Sequence, residues 1–314
     1  MIDLNELRDQ LNGINIGIKE KYNPVFQISK KDFRNKLNTE IGELIGLHKI
    51  EKRDMEKFSK TVAVDGSNNR SGGAFPHFIE IFQGLAKSTD GSEIYKTAVY
   101  TPTLNITEDD KNLSQKILAS IEIETAIEFI KTYDLDYLMM DGGFIRYKIH
   151  CIDLFKELRE ICEERNIILF GVIKDIKTNI ISRKLEMNEA IYDREILFNR
   201  LKIGEAVLID NEINKKYIEK QLGEGFSSAF MRTSSFPGAI GVDILDTQER
   251  YLREICDLIY TLTPHSSRGV PLWLDIVDKD VKITDEILKM MLEEYLDRDV
   301  YERFFISERD KRTL

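Results

Sequence analysis

The chain has 314 residues, of which 42% are hydrophobic and 32% are charged, a composition typical of a folded globular protein. Its 45 basic and 55 acidic residues give a formal net charge of −10, which excludes a polycationic protein that coats nucleic acid by bulk charge. No apolar run approaches the roughly 18 residues that a membrane-spanning helix needs. We therefore expect no membrane segment.

The predicted location is the cytoplasm. The acidic, amphipathic start MIDLNELRDQ lacks the apolar core of a secretion signal. Cys151, Cys162 and Cys256 are odd in number and widely spaced, so they predict neither a disulfide framework nor a zinc site. Such cysteines usually serve as small buried apolar residues in a reducing compartment.

The N-terminal region, residues 1–58, is predicted to be a helical extension, because Leu37, Ile41 and Leu44 recur at helical spacing. Three strands are predicted after it: TVAVDGSNNR, expected to end in a turn at its Asp-Gly pair, then HFIEIFQGLAKS and SEIYKTAVYTPTL. Short turns between consecutive strands imply an antiparallel meander.

Helices and strands then alternate. A long helix in EDDKNLSQKILASIEIETAIEFIKTY precedes the buried strand DYLMMDGG, and the helix YKIHCIDLFKELREICEERN precedes the buried strand IILFGVIKD. The order β-β-β-α-β-α-β predicts an α/β fold with a ribonuclease-H-like mixed sheet, in which an antiparallel meander is joined to parallel strands. Helices should flank this sheet, with further helices added at both ends of the chain.

The rest of the chain is less regular. Residues 177–241 are predicted as an insertion with a helix in ISRKLEMNEAIYDREILF and strands in EAVLID and SSAFMRTS. Helices are expected in DTQERYLREICDLIYTLT and ITDEILKMMLEEYLDR, and the basic tail FFISERDKRTL is expected to contact a partner or nucleic acid.

Two Asp-Gly pairs directly follow predicted strands, as VAVDGS with Asp65 and LMMDGG with Asp141. One such pair alone is typical of a turn. In a ribonuclease-H-like sheet, however, the first and fourth strands are neighbours, so the two carboxylates would meet at one sheet edge. Carboxylates of this kind suit Mg²⁺ or Mn²⁺, which activate water and neutralise charge on a phosphate.

Other polar residues could complete such a site. The helix between the two pairs carries Glu122 and Glu124, of which at most one can face the metal, because residues two apart lie on different faces of a helix. Lys174 ends a predicted strand and could reach a phosphate or a water molecule. Further along the chain, Asp278 follows the apolar segment LWLDIV, and His265 and Arg268 share a polar loop that could contact phosphate.

Taken in order, VAVDGS, IEIETAIEF, LMMDGG, FGVIKD and PLWLDIVD resemble the NurA family of nucleases, from about residue 58 to the C-terminus. The resemblance implies a NurA-type ribonuclease-H-like nuclease domain over residues 59–314. It also implies a homodimeric, Mn²⁺- or Mg²⁺-dependent DNA nuclease, acting as an exonuclease or also as an endonuclease. The implied partner is a HerA-type hexameric translocase, with which such nucleases resect DNA ends during repair.

The resemblance also assigns residues. It places the metal on Asp65, Glu122, Asp141 and Asp278, with Glu124 as the second choice for the helix acid, and it gives Lys174 a catalytic role. The late block departs from the family pattern, because Val270 and Asp278 stand where relatives have tyrosine and histidine.

Two other classes of protein remain open at this point. An actin-like or sugar-kinase-like phosphotransferase also places Asp-Gly turns over phosphates, although no second copy of the β-β-β-α-β-α unit follows residue 180. A non-catalytic adaptor that docks on a DNA motor could keep the same fold.

Overall fold

The computed structural model describes residues 4–104, 110–187, 190–219 and 225–306. Within these ranges there are nine strands: β1 (Gly42–Gly46), β2 (Thr61–Gly72), β3 (Phe78–Ser88), β4 (Glu93–Tyr100), β5 (Tyr137–Asp141), β6 (Ile168–Ile173), β7 (Glu205–Ile209), β8 (Phe226–Arg232) and β9 (Ile240–Leu245). The basic tail lies mostly beyond the described residues, as does its expected contact with a partner.

The helices of the same ranges are α1 (Leu4–Lys21), α2 (Asn23–Gln27), α3 (Lys30–Lys36), α4 (Asp110–Thr132), α5 (Phe144–His150), α6 (Ile152–Glu164), α7 (Ile180–Lys184), α8 (Asp193–Leu197), α9 (Asn211–Glu219), α10 (Leu252–Leu262), α11 (Leu272–Asp280), α12 (Asp285–Tyr295) and α13 (Arg298–Phe304). A π-helical turn spans Leu37–Ile41, and 3₁₀ turns span Met55–Phe58 and Asp246–Tyr251. Among the helices described, none is long and apolar enough to cross a membrane.

All nine described strands form one sheet in the order β1-β7-β8-β9-β6-β5-β2-β3-β4. The neighbours β2, β5 and β6 run parallel, whereas the other pairs are antiparallel. The predicted mixed sheet of ribonuclease-H-like type is therefore confirmed, because the meander β2-β3-β4 is joined through β2 to parallel strands. The predicted insertion supplies β7 and β8, which widen this sheet.

The sheet is covered on both faces. Val62 and Val64 of β2 face a core that includes Phe33 of α3 and Phe129 of α4. Ala63, between those two valines, faces the opposite core together with apolar residues of α10 and α11. The three cysteines are free thiols and are buried, as the sequence predicted.

The expected turn at the first Asp-Gly pair was wrong. Strand β2 continues through Asp65 and Gly66 to Gly72 and pairs with β3 along that whole length. Its parallel pairing with β5 stops at Val64, so Asp65 lies where one ladder ends while the other continues. The reason for the glycine is close packing, because a Cβ at Gly66 would lie 2.6 Å from Glu122 Oε1.

A second glycine stands directly opposite the first. Gly66 pairs with Gly84 of β3. A Cβ at Gly84 would lie 2.4 Å from Thr125 Oγ1 and 2.9 Å from the carbonyl oxygen of Ile121, both on α4. The two glycines form a depression in the sheet in which α4 lies, and this brings Glu122 to Asp65.

Several other element predictions needed correction. Residues 1–58 are not helical throughout, since β1 pairs with β7 at the edge of the sheet. The helix predicted after β5 is two helices, because Cys151 takes an extended φ of −152° between them. The helix predicted over ISRKLEMNEAIYDREILF, from Ile181, is likewise interrupted, since Glu186 has a positive φ of 54°. Strand β9 was not predicted, and LWLDIVD forms the helix α11.

Candidate metal centre

Three aspartates from distant parts of the sequence meet at the carboxyl end of β5, beside the point on β2 where its pairing with β5 ends. Asp65 lies on β2 and Asp141 ends β5, one residue beyond the parallel pair Val64 and Met140. Asp278 comes from α11, which packs on β2. One carboxylate oxygen of each aspartate lies within 4.8 Å of those of the other two.

The Lys174 ammonium group lies among these three carboxylates. Its Nζ donates a hydrogen bond of 2.6 Å to Asp141 Oδ2, and it is 4.0 Å from Asp65 Oδ2 and 3.8 Å from Asp278 Oδ1. Burial opposes its charge, but the surrounding carboxylates prevail and raise the pKa of Lys174. Lys174 therefore supplies one positive charge to a group of three acids.

Asp65 is the most buried of the three, with 4% of its surface exposed. Burial first, and then the charges of Asp141 and Glu122, raise its pKa to about 9. Asp65 Oδ1 accepts a hydrogen bond of 2.7 Å from the Gly66 N–H, whereas Oδ2 has no hydrogen-bond partner among the described residues. A buried carboxylate oxygen of this kind is a ready ligand for a cation.

Asp278 has a different environment. It is partly exposed, and Lys282 Nζ lies 3.3 Å from its Oδ2. Partial burial would raise the pKa of Asp278, but Lys174, Lys282 and Arg268 together hold it below its usual value.

Glu122, on α4, was predicted as a metal ligand but is not part of the group of three aspartates; its charge nevertheless raises the pKa of Asp65. Tyr147 Oη donates a hydrogen bond of 2.7 Å to Glu122 Oε2, and the Arg146 guanidinium bonds the same oxygen. Glu122 Oε1 has no hydrogen-bond partner in the part of the chain that the structure describes. Burial raises the pKa of Glu122, against the opposing effects of Arg146 and Tyr147.

The donor set fits a hard divalent cation. Three carboxylates offer oxygen ligands, two of them lie on strands of the sheet, and two buried carboxylate oxygens, Asp65 Oδ2 and Glu122 Oε1, lack partners among the described side chains. Mg²⁺ and Mn²⁺ prefer such oxygen ligands, whereas zinc prefers nitrogen and sulfur. The predicted cofactor, Mn²⁺ or Mg²⁺, therefore agrees with the chemistry of the residues present.

The remaining candidate residues from the sequence are not part of the group of three aspartates. Glu124 is exposed on a different face of α4 from Glu122, beside Lys96 and Lys116. His265 is exposed, and its backbone carbonyl accepts a hydrogen bond from the Ser235 N–H. Arg268 Nη2 donates a hydrogen bond of 2.5 Å to Asp275 Oδ1, and the charge of Arg268 also lowers the pKa of Asp278.

Sequence reasoning missed Arg146, Tyr147 and Lys282. Arg146 and Tyr147 lie one helical turn after the second Asp-Gly pair. The Arg146 guanidinium and the Tyr147 hydroxyl both donate hydrogen bonds to Glu122. Because both residues closely follow LMMDGGF in the sequence, they could have been predicted to lie near Asp141. Lys282 follows Asp278 by four residues, a spacing that brings the two side chains together.

Comparisons with known proteins bear on the family and the fold of the chain. The family model of the NurA domain matches residues 59–283. The fold is similar to the crystal structure of the NurA nuclease from Sulfolobus solfataricus, at 16% identity, with a TM-score of 0.59 and with 95% of this chain and 99% of that chain covered. It is also similar to a crystal structure of NurA bound to dAMP and manganese, at 14% identity and a TM-score of 0.54, with 95% and 98% covered. No match was found among curated proteins.

Proposed function

Because this chain belongs to the NurA family of nucleases, by a domain match over residues 59–283, we propose that it is a Mn²⁺- or Mg²⁺-dependent deoxyribonuclease. The observation that carries the proposal is the group formed by Asp65, Asp141 and Asp278, whose carboxylate oxygens lie within 4.8 Å of one another. The NurA structure with dAMP and manganese supports the same pairing of nucleotide and metal.

In this proposal Asp65, Asp141 and Asp278 would hold the metal ion, and the Oε1 oxygen of Glu122 is available as a further ligand. When bound, the metal supplies a water of lowered pKa and neutralises charge that develops on the scissile phosphate. Arg146 and Tyr147 fix Glu122 through its other oxygen, Oε2, so that Oε1 keeps its orientation.

Lys174 has a positioning role in the reaction. Its ammonium group is in contact with Asp141 and within 4.0 Å of Asp65 and Asp278. A cation at this place can orient the scissile phosphate or the attacking water. Arg268 and Lys282 add positive charge beside Asp278, where the DNA backbone would approach.

The substrate is DNA. The protein cleaves it as an exonuclease, or also as an endonuclease, during the resection of DNA ends in repair. We assign a HerA-type hexameric translocase as the partner that delivers the DNA, which suits a chain whose net charge of −10 gives weak grip on DNA. Three free cysteines support a cytoplasmic location. The retained aspartates weigh against a non-catalytic adaptor.

The proposed assembly is a homodimer, in which residues 1–58 extend the nuclease unit 59–314. Helix α1 has no buried residue and exposes an apolar stripe of Leu4, Leu7, Leu11, Ile14 and Ile18. The spacing alternates three and four residues, which is the pattern of a helix that packs along a second copy of itself. This stripe supports dimerisation through α1.

The test is cleavage of end-labelled linear DNA with Mn²⁺, with Mg²⁺ or with EDTA. Wild type and the control variant Asp134→Asn, an exposed aspartate just before β5, should degrade the DNA only with metal. Asp141→Asn should not, because it removes one ligand while it keeps the side-chain shape. Equal cleavage by Asp141→Asn and wild type would contradict the proposal.

A further inference from the structure

A cavity of about 440 Å³ adjoins the aspartate group, a size within the range of small-molecule sites. Asp141 and Lys174 of the metal centre are among its lining residues. Ile145, Phe226 and Phe230 give it apolar walls. Its buried polar lining consists of Asn214, Ser228 and Asp243, none of which the proposed metal chemistry uses.

The polar groups of the cavity are held rigidly and present acceptors. Asp243 Oδ1 accepts a hydrogen bond of 2.7 Å from Ser228 Oγ, and Asp243 Oδ2 accepts one of 2.9 Å from the Phe144 N–H. Asn214 Nδ2 donates a hydrogen bond of 2.9 Å to the Phe226 carbonyl oxygen. Asn214 Oδ1 has no hydrogen-bond partner among the residues described, although Asn214 is 1% exposed. Such a buried acceptor is costly unless a ligand donates to it.

The position of the cavity relates it to the metal centre. Asp141 pairs with Val172 of β6, and Asp243 of β9 pairs with the preceding residue, Gly171, so the two acids lie two strands apart with their side chains on opposite faces of the sheet. Gly143 lets the segment after Asp141 pack closely on Asp243, because a Cβ there would lie 2.9 Å from Asp243 Oδ2. The cavity is nevertheless lined by Asp141 and Lys174 as well as by Asp243, so it leads from the aspartate group to the buried polar residues.

We propose that this cavity binds the base of the nucleotide whose phosphate lies at the aspartate group, an assignment that rests on the proposed nuclease function. A nucleobase is flat and apolar on its faces, so it can pack against Phe226 and Phe230. Its edge carries N–H donors, which the Asn214 and Asp243 oxygens can accept. Guanine, adenine and cytosine offer an amino group to these acceptors, whereas thymine offers one N–H between two carbonyl oxygens and binds weakest.

Calorimetric titration of the full-length protein with Mn²⁺ tests this assignment. The probes are dGMP, dAMP, dCMP, dTMP and the baseless 2-deoxyribose 5-phosphate. Wild type should bind the three amino-bearing nucleotides on the order of tenfold or more tighter than the sugar phosphate, the size expected for stacking of one base. The dTMP affinity should be the lowest of the four nucleotides.

Two variants address the cavity. Asn214→Leu removes the unpaired acceptor, and Ile145→Trp fills the space from a wall without breaking a hydrogen bond, so it serves if Asn214→Leu does not fold. Both should reduce the preference for base over sugar phosphate to about twofold or less, a loss of roughly 1 kcal/mol. Ile149→Trp, one turn farther along α5 and 57% exposed, is the matched control and should bind as wild type does.

Parallel assays of DNA cleavage separate the two proposals. Equal affinity for all five probes, or a base preference that survives in both variants, would overturn the base site, and intact cleavage would then leave the nuclease proposal standing. A base preference that depends on the cavity, in a protein that cleaves no DNA with Mn²⁺, would support the base site and count against the nuclease. Absence of both would overturn both.

Discussion

Asp65 is held where its negative charge is disfavoured. It is buried beside Asp141 and Glu122, and its Oδ2 has no hydrogen-bond partner within the described residues. Such an arrangement costs folding stability unless a cation is bound, and it is characteristic of a functional site. In the proposed metal centre, the same side chain would therefore serve metal binding and oppose folding.

Replacement of Asp65 by asparagine should separate these two effects. Asp65→Asn removes a ligand, so metal-dependent cleavage should fall by about 100-fold or more, since a metal contributes several kcal/mol to such reactions. The thermal unfolding midpoint of the metal-free protein should rise, because the crowded carboxylate is gone. Calorimetry with EDTA and the cleavage assay measure the two effects. A lower midpoint together with lost cleavage would indicate a structural role instead.

Asp243 should make stability depend on pH. Burial, partly offset by Ser228 and the Phe144 N–H, raises its pKa from 3.8 to about 6. The folded protein then keeps this proton to a higher pH than the unfolded chain does. The contribution of Asp243 to stability is therefore fully present below about pH 4 and is lost as the pH rises through about 6.

The comparison that isolates this effect is wild type against Asp243→Asn. The variant can accept from the Phe144 N–H through its oxygen and donate to Ser228 Oγ. Its unfolding free energy should fall less than that of wild type between pH 4 and pH 7, by about 3 kcal/mol at most. Denaturant unfolding at several pH values checks this. Parallel pH profiles for the two proteins would contradict the assigned pKa.

At the scale of elements, the site depends on how closely α4 approaches the sheet. Gly66 and Gly84 stand opposite each other on β2 and β3, and side-chain or backbone atoms of α4 fill the space that a Cβ would take at either position. This contact carries Glu122 to Asp65. The glycines thus matter because of a close approach between elements.

Gly66→Ala should disturb this approach. The new Cβ would lie 2.6 Å from Glu122 Oε1 and 2.9 Å from Leu118 Cδ1, so α4 must shift. We expect a loss of about 1–3 kcal/mol of stability, as for other overpacked sites, together with reduced cleavage. Gly46→Ala on β1 is the control, since no atom lies within 4 Å of the added Cβ. Equal effects of both substitutions in unfolding and cleavage assays would show that the packing of α4 is not involved.

The meander and the two parallel strands that follow it were predictable from the sequence, because each of these strands is a distinct apolar run bounded by turns or by helices with a different period. The course of β2 through Asp65 and Gly66 was not, since local turn preference favoured an Asp-Gly turn and the pairing with β3 overrode it. Strand β9 was missed because its buried residues include Asp243, whose partners are distant in sequence. Asp65 and Asp141 were visible as aspartates that directly follow apolar runs, but the meeting of Asp278 with them depends on how α11 packs.

For the whole molecule, the N-terminal extension has two contrasting parts. Phe33, Leu37 and Ile41 are fully buried, and β1 completes one edge of the sheet, so this part is bound firmly to the nuclease unit. Arg34 adds a bidentate pair with Glu205 of β7, at 2.5 and 2.8 Å. Helix α1, by contrast, buries none of its residues against the rest of the described chain.

The proposed dimer should therefore depend on α1. Leu11 is 55% exposed at the middle of the apolar stripe, and Leu11→Glu would place charges at the contact between two copies. Wild type should sediment as a dimer and the variant as a monomer with an unchanged unfolding midpoint of the nuclease unit. Asn12→Glu, next to the stripe, adds the same charge outside it and should remain dimeric. A dimeric Leu11→Glu protein would place the interface elsewhere.

The Lys174 ammonium among the three aspartates has a consequence for the order in which cations occupy the centre. It hydrogen-bonds Asp141 and lies within 4.0 Å of Asp65 and Asp278, so it offsets carboxylate charge when no divalent ion is bound. In the proposed metal centre a divalent ion would have to displace this ammonium group from Asp141. The lysine would then act as a resident cation that keeps the empty centre assembled.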